Sequence, residues 1–131
     1  MSNKFFAKKF VDGDGIKWDS KKEYSRYLEL RERLENDEIT FLQRQVKFQI
    51  LPKQKDERKV EYIADFVYLE TKEKKLVIED VKSNYTRKDM YYVLKRKLTK
   101  FVYVYEPNLV GLKQMFPNRD FDKAEFREVV L

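Results

Sequence analysis

Tyr62-Ile63-Ala64-Asp65-Phe66 and Val77-Ile78-Glu79-Asp80-Val81-Lys82 both read as strands buried on both faces, yet both carry charge. Burying an unpaired carboxylate is costly. Two neighbouring strands that break the same rule point to a site. Side chains alternate along a strand. Ile63, Asp65, Val67 and Leu69 should therefore share one face, with Tyr62, Ala64, Phe66 and Tyr68 opposite. In the second strand Leu76, Ile78, Asp80 and Lys82 share a face, with Val77, Glu79 and Val81 opposite. Glu70 to Lys75 is charged and free of apolar residues, so it reads as a hairpin loop. Pairing Glu70 with Lys75 sets Leu69 against Leu76, Val67 against Ile78, Asp65 against Asp80 and Ile63 against Lys82. The match of apolar partners supports that register.

Directly opposed residues have Cβ atoms about 4.5–5.5 Å apart, where like charges destabilise. A divalent cation would offset the repulsion between Asp65 and Asp80, since Mg²⁺ takes carboxylate oxygens and bridges to phosphates. Lys82 lies one step along the same face. The structural alternative is an Asp80–Lys82 ion pair on a solvated face, with Asp65 at a sheet edge.

The chain of 131 residues suits a single domain with one real core. Ten Phe and nine Tyr provide ample material to bury, although 40% of residues are charged. A net charge of +6 favours a polyanionic partner, nucleic acid foremost. There is no Cys and no His. Disulfides, thiolate zinc sites, cysteine nucleophiles, histidine bases and an HNH-type nuclease are thereby excluded. Any catalysis must run on carboxylates, Lys, Tyr or a hard metal ion. No apolar run is long enough to span a membrane, and the first residues lack the apolar segment of a signal peptide. A cytoplasmic protein is expected.

Before the central hairpin, Lys8 to Trp18 reads as a small hairpin turning at Asp12-Gly13-Asp14-Gly15. The same run hints at a calcium loop with Glu23 in its twelfth position, but Ile16 and Trp18 spoil the ligand pattern. A helix follows to about Asn36. Ser20 and Glu23 match a capping box. Glu23 can serve that cap or point toward the sheet as a third carboxylate. Phe41 to Leu51 reads as a strand with Leu42, Val46, Phe48 and Ile50 on one face and Gln43, Gln45, Lys47 and Gln49 on the other. Pro52 ends it.

After Lys82 a loop leads to Thr86, which is placed to cap a helix with Asp89 as the acidic partner. Met90, Val93, Leu94, Lys97, Leu98 and Phe101 outline the face of that helix. Phe101 to Tyr105 is rich in β-favouring residues and is expected to be a strand, closing a right-handed parallel crossover. Leu109 to Phe116 suggests a short helix. Phe121 to Leu131 reads equally as an edge strand or a helix. Arg87, Lys88, Lys95, Arg96, Lys97 and Lys100 form either a solvated face or a phosphate-binding patch.

Helix, strand, an Asp-bearing hairpin with Asp-x-Lys, then helix and strand: this order resembles the PD-(D/E)XK nuclease superfamily, in particular its small phage-encoded domains. It is similar in layout to the endonuclease subunit of some cut-and-paste transposons. The matching pieces are Asp19 to Glu23, Gln45 to Phe48, Tyr62 to Phe66, Glu79 to Lys82 and Tyr92 to Leu98, within residues 12–106. Ala64 stands where the motif name has Pro, and Asp80 where Glu is commoner.

The resemblance implies an α/β domain over 1–131: a restriction-endonuclease-like mixed sheet in the order helix, three-stranded meander, helix, strand. An N-terminal hairpin precedes that core and residues 107–131 extend it. It also implies a site of Glu23, Asp65, Asp80, Lys82 and Gln45. Asp65, Asp80, Glu23 and the Val81 carbonyl would hold Mg²⁺ or Mn²⁺, and the basic residues would hold DNA. The activity implied is metal-dependent hydrolysis of DNA phosphodiesters, on branched, recombination or replication intermediates of a phage. No small-molecule cofactor and no membrane partner are expected. A homodimer is suggested by the resemblance alone. The alternatives are a non-catalytic nucleic-acid-binding module and a phage protein-interaction factor on the same fold.

Overall fold

The structure is a computed structural model, and it describes residues 9–82 and 89–131. A two-stranded hairpin, β1 (Phe10–Val11) and β2 (Lys17–Trp18), leads into helix α1 (Lys21–Glu35). Strands β3 (Ile39–Leu51), β4 (Val60–Glu70) and β5 (Lys75–Lys82) form an antiparallel meander. Helix α2 (Met90–Thr99) runs on into a π-type turn, Lys100–Val104. A short 3₁₀ turn, helix α3 (Val110–Met115) and strand β6 (Lys123–Val130) complete the chain. The sheet order is β3-β4-β5-β6, with β6 parallel to β5. This is a mixed-sheet α/β fold. Among the described residues no helix is long and apolar enough to cross a membrane.

The sheet separates two cores. On one face α1 and the hairpin bury Trp18, Leu30, Ile39, Phe66, Tyr68 and Val77. On the other, α2, the π-type turn and α3 cover Phe48, Ile50, Tyr62, Ala64, Val67, Leu69, Leu76 and Ile78, with Tyr92, Tyr103 and Leu112 from the helical layer. Strand β5 lies between two neighbours and two layers, so Leu76 to Asp80 are all buried. That is why it reads as a continuous apolar run broken only by Glu79 and Asp80.

The β4–β5 register is the one expected: Glu70 faces Lys75, Leu69 faces Leu76, and Val67 faces Ile78. The face pattern differs. Along β4, Tyr62 and Ala64 join the α2-side core with Val67 and Leu69, whereas Phe66 and Tyr68 join the α1 side. The alternation therefore slips by one residue at Asp65. Strand β3 slips at the same level, where Gln45 adopts φ 53° between the pairs Arg44–Phe66 and Val46–Ala64. Leu42 accordingly packs on the α1 side, while Val46, Phe48 and Ile50 pack on the other. The expected grouping of Leu42 with those three is corrected by this left-handed residue, which has no glycine to announce it.

The expected strand at Phe101–Tyr105 is also corrected. Those residues continue α2 as the π-type turn. Tyr103 is drawn into the core, its ring 5.2 Å from Phe48 and its hydroxyl donating to the Gln49 carbonyl. Burial here overrides β-propensity, which is itself mostly a packing preference. The parallel partner of β5 is instead β6, so the crossover is present but returns later in the chain. Its register is pinned by charge: Lys75 bonds Glu125 at 2.7 Å, and Arg127 bonds Glu70 at 2.9 Å.

Asp12 has a structural role. Its carboxylate accepts from the Asp14 and Ile16 N–H groups and from Trp18 Nε1 at 2.8 Å, which shapes the turn that Gly15 (φ 82°) completes. Those bonds, Trp18 first, lower its pKa.

Candidate active site

The β4–β5 ladder ends at Phe66–Glu79, one step before the expected Asp65–Asp80 pair. In a continued ladder Val81 would face Ala64. The slip in β4 removes that backbone, and the Asp65 carboxylate takes its place, accepting from the Val81 N–H at 2.8 Å. A strand fork is thus closed by a side chain, and the two acids meet in it.

Asp80 is buried, at 1% exposure. It accepts from the Tyr62 hydroxyl and lies 3.4 Å from Lys82 Nζ. Burial, followed by the neighbouring Asp65 carboxylate, pushes its pKa well above the usual carboxylate range. The Lys82 ammonium also sits 4.7 Å over the Tyr92 ring of α2, a favourable cation–π distance. Tyr92 in turn donates to Glu128 of β6. Lys82 is thereby fixed between a buried acid and an aromatic face.

Glu23 is also buried, at 3% exposure. The helix start forms only half of the expected capping box. Ser20 Oγ accepts from the Glu23 N–H at 3.1 Å, while the Glu23 carboxylate accepts from Gln45 Nε2 at 3.2 Å and Arg44 Nη2 at 3.4 Å. The open choice between cap and sheet is settled: the side chain faces the sheet. Burial first, then Asp65 and Asp19, push its pKa up to about 8, against the pull of Arg44. Asp65 is the carboxylate felt most strongly by both Glu23 and Asp80. Four chain segments thus meet around it: α1, β3, β4 and β5.

The sequence matches, over residues 2–112, the family described as a protein of unknown function, DUF1064. The chain belongs to that family. No curated protein and no solved structure matches it. The DUF1064 match contains Glu23, Gln45, Asp65, Asp80, Lys82 and all of α2, whereas β6 lies beyond it.

The side chains of this DUF1064 chain can be tested for a hard cation by their own state. The donors are all oxygens: three carboxylates, two of them raised by burial and then by the third. Each buried acid has one cation, Arg44 or Lys82, at 3.4 Å. A divalent ion would offset the remaining crowding, so the donor chemistry fits Mg²⁺ or Mn²⁺. Among the described residues no three acidic side chains stand ready-arranged around one metal position. Glu23 is engaged by Arg44 and Gln45 instead.

Three neighbours of the site were not singled out from sequence. Arg44 lies with its guanidinium 3.6 Å over the Trp18 ring, and its Nε is buried without a hydrogen-bond partner. Tyr62 was placed on the face away from Asp80, and only the slip at Asp65 turns it inward. Tyr92 entered only as the first residue of a matching piece, with no role attached. Of the basic residues, Arg87 and Lys88 lie outside the described residues, as does Thr86. Asp89 itself caps α2, accepting from the Tyr91 N–H. Arg96 is paired with Glu128 at 3.2 Å, and Lys95 is half-buried. Lys97 and Lys100 are exposed. The described part of the basic cluster is thus divided among roles and does not form one face.

Proposed function

We propose that this protein is a metal-dependent DNA endonuclease, hydrolysing phosphodiester bonds at the fork between β4 and β5. The meeting of Asp65 and Asp80 there, with Lys82 3.4 Å from Asp80 and Glu23 brought in by α1, is the observation that supports it most. Mg²⁺ or Mn²⁺, held by Asp65, Asp80, Glu23 and the Val81 carbonyl, would polarise the scissile phosphate and lower the pKa of a bound water. Lys82 Nζ donates to the attacking oxygen or to charge developing on the phosphate. Gln45 Nε2 gives one N–H to Glu23, and its second N–H would orient water or a phosphate oxygen. Arg44, through its ion pair with Glu23, would hold that acid in place beside the metal position. The substrate is DNA, with branched intermediates of a phage as the finer proposal, and a homodimer as the assembly suggested by the resemblance.

The purified protein is offered linear, supercoiled, flap and four-way-junction DNA with Mg²⁺ or Mn²⁺. Asp80→Ala and Lys82→Ala should abolish cutting with the fold intact. Asp65→Asn should do the same while keeping an acceptor for the Val81 N–H. Cutting by these variants at the wild-type rate would assign the activity to a contaminant or another site.

The absence of a ready-arranged three-carboxylate group among the described residues favours a second reading, a binding module that retains the fold without turnover. It predicts metal-independent DNA binding, steeply weakened by salt. Calorimetric titration of Mn²⁺ into wild type and Asp65→Asn separates the two.

A further inference from the structure

Helix α2 and the turn after it have an outer face that the described residues leave uncovered. Tyr91 is 75% exposed, Leu94 58%, Phe101 60% and Tyr105 55%. Their spacing places them along one side of the helix. From Tyr91 to Phe101 the stripe runs about 15 Å at 1.5 Å per residue. The Phe101 and Tyr105 rings lie nearly parallel, 5.6 Å apart. Lys97 and Lys100, both exposed, interrupt the apolar residues. Large exposed aromatics in a row are not what a solvated helix face needs.

A second copy of the chain fits this stripe poorly. In a two-fold pairing, the residue at the middle of the stripe meets its own copy. The midpoint between Tyr91 and Tyr105 falls at Leu98, which packs against the core, so the nearest exposed residue is Lys97, and its ammonium would be brought against that of the second copy. An anionic partner with flat apolar faces fits better. Aromatic rings stack unpaired bases and lysines follow the phosphates. A base-paired duplex keeps its base faces covered and offers these rings nothing to stack on. The opposite face of α2 carries buried Tyr92, over whose ring Lys82 Nζ sits at 4.7 Å. The stripe is therefore on the back of the helix that holds a residue of the site.

Building on the endonuclease reading, we propose that the outer face of α2 binds an unpaired nucleic-acid strand, with Tyr91 and Phe101 as stacking platforms and Lys97 and Lys100 as phosphate contacts. The substrate class is then DNA with a single-stranded arm rather than uninterrupted duplex.

The test uses fluorescence anisotropy with labelled oligothymidylate and a blunt duplex of equal length, in chelator so that nothing is cut. Wild type should prefer the single strand. Tyr91→Ala with Phe101→Ala should raise its Kd for the single strand about tenfold or more, leaving the duplex unaffected. Tyr91→Trp with Phe101→Trp should retain tight binding. Replacing Lys97 or Lys100 with Gln should each flatten the salt dependence by about 0.7 in log–log slope. All four positions are exposed, so an unchanged thermal midpoint is expected in every variant. Equal single-strand binding by the double alanine variant overturns the proposal. So does a dimer in sedimentation that the alanines dissociate, which would assign the stripe to self-association. Because the assay needs no metal, loss of strand binding and loss of cutting are read independently: the endonuclease reading can fail while the strand site stands, and the reverse.

Discussion

Replacing Glu23 with Gln should stabilise the metal-free protein at pH 8 while removing its proposed activity. Glu23 is 3% exposed and faces Asp65, with Asp19 nearby and only Arg44, 3.4 Å away, in opposition. Its pKa rises from 4.5 to about 8. Across that window the folded chain binds more protons than the unfolded one, so stability falls as pH rises from 4.5 and levels off above 8. Each pH unit is worth at most about 1.4 kcal/mol, which sets a ceiling of about 5 kcal/mol. Screening and relaxation around Arg44 bring the expected figure to about 2–3 kcal/mol. Gln keeps the shape and an amide oxygen to accept from Gln45. Urea unfolding in chelator is the assay. The variant and wild type should agree near pH 4.5, where both side chains are neutral. The variant should be the more stable by pH 8, with an unchanged m-value. Wild-type stability that is flat across the window, with a variant no more stable at pH 8, would mean that Arg44 already balances Glu23. The case for a cation at this position would then lose its electrostatic support.

Three further outcomes are expected. Arg127 holds Glu70 down to about 2, so the wild type loses stability as pH falls from 4.5 toward 2; Arg127→Ala should lose about 1–3 kcal/mol at neutral pH and shift acid unfolding upward, as followed by circular dichroism. Tyr62→Phe strips Asp80 of its hydroxyl donor and should destabilise by about 1.5–3 kcal/mol in thermal unfolding, since the bond serves a buried carboxylate. Asp12→Ala should shift the emission of the single tryptophan, because Trp18 Nε1 loses its acceptor, whereas added Ca²⁺ should leave the spectrum of the wild type unchanged.

The hairpin was legible because two local signals agreed. The charged loop fixed its length, and Leu69, Val67, Leu76 and Ile78 fixed its register. What lay beyond Phe66 was not legible. The alternation slips at Asp65 in β4 and at Gln45, with φ 53°, in β3, and a glutamine in that conformation leaves no mark in composition. Tyr62 was therefore assigned to the wrong face, although it is the residue that bonds Asp80. The last strand was left open between an edge strand and a helix for the opposite reason, and it is the edge strand. Glu125, Arg127 and Glu128 break the apolar pattern of β6, and their partners Lys75, Glu70 and Tyr92 lie far away in sequence. Phe101 to Tyr105 looked more like a strand than β6 does, because aromatics that favour strands also suit a tightly packed helical turn. For Glu23 the capping pattern was real, but only its Ser20 half is used.

The fork explains why charge can persist in strands that are otherwise buried. A regular β4–β5 ladder would pair the Val81 N–H with backbone and leave Asp65 directly opposed to Asp80, without the Val81 N–H to bond. The paired slips at Gln45 and Asp65 end the ladder one residue early. Asp65 then has a structural duty, accepting from Val81, and is brought against Glu23 and Asp80 in the same move. A neutral asparagine could close the fork equally well, since the N–H needs only an acceptor. Closing the fork therefore accounts for a polar residue at position 65 but not for a charged one. Nor does it account for the two further buried acids drawn to its side. Three carboxylates gathered where one amide would serve are a stability loss that the fold alone does not require. Such local losses concentrate where a chain does chemistry.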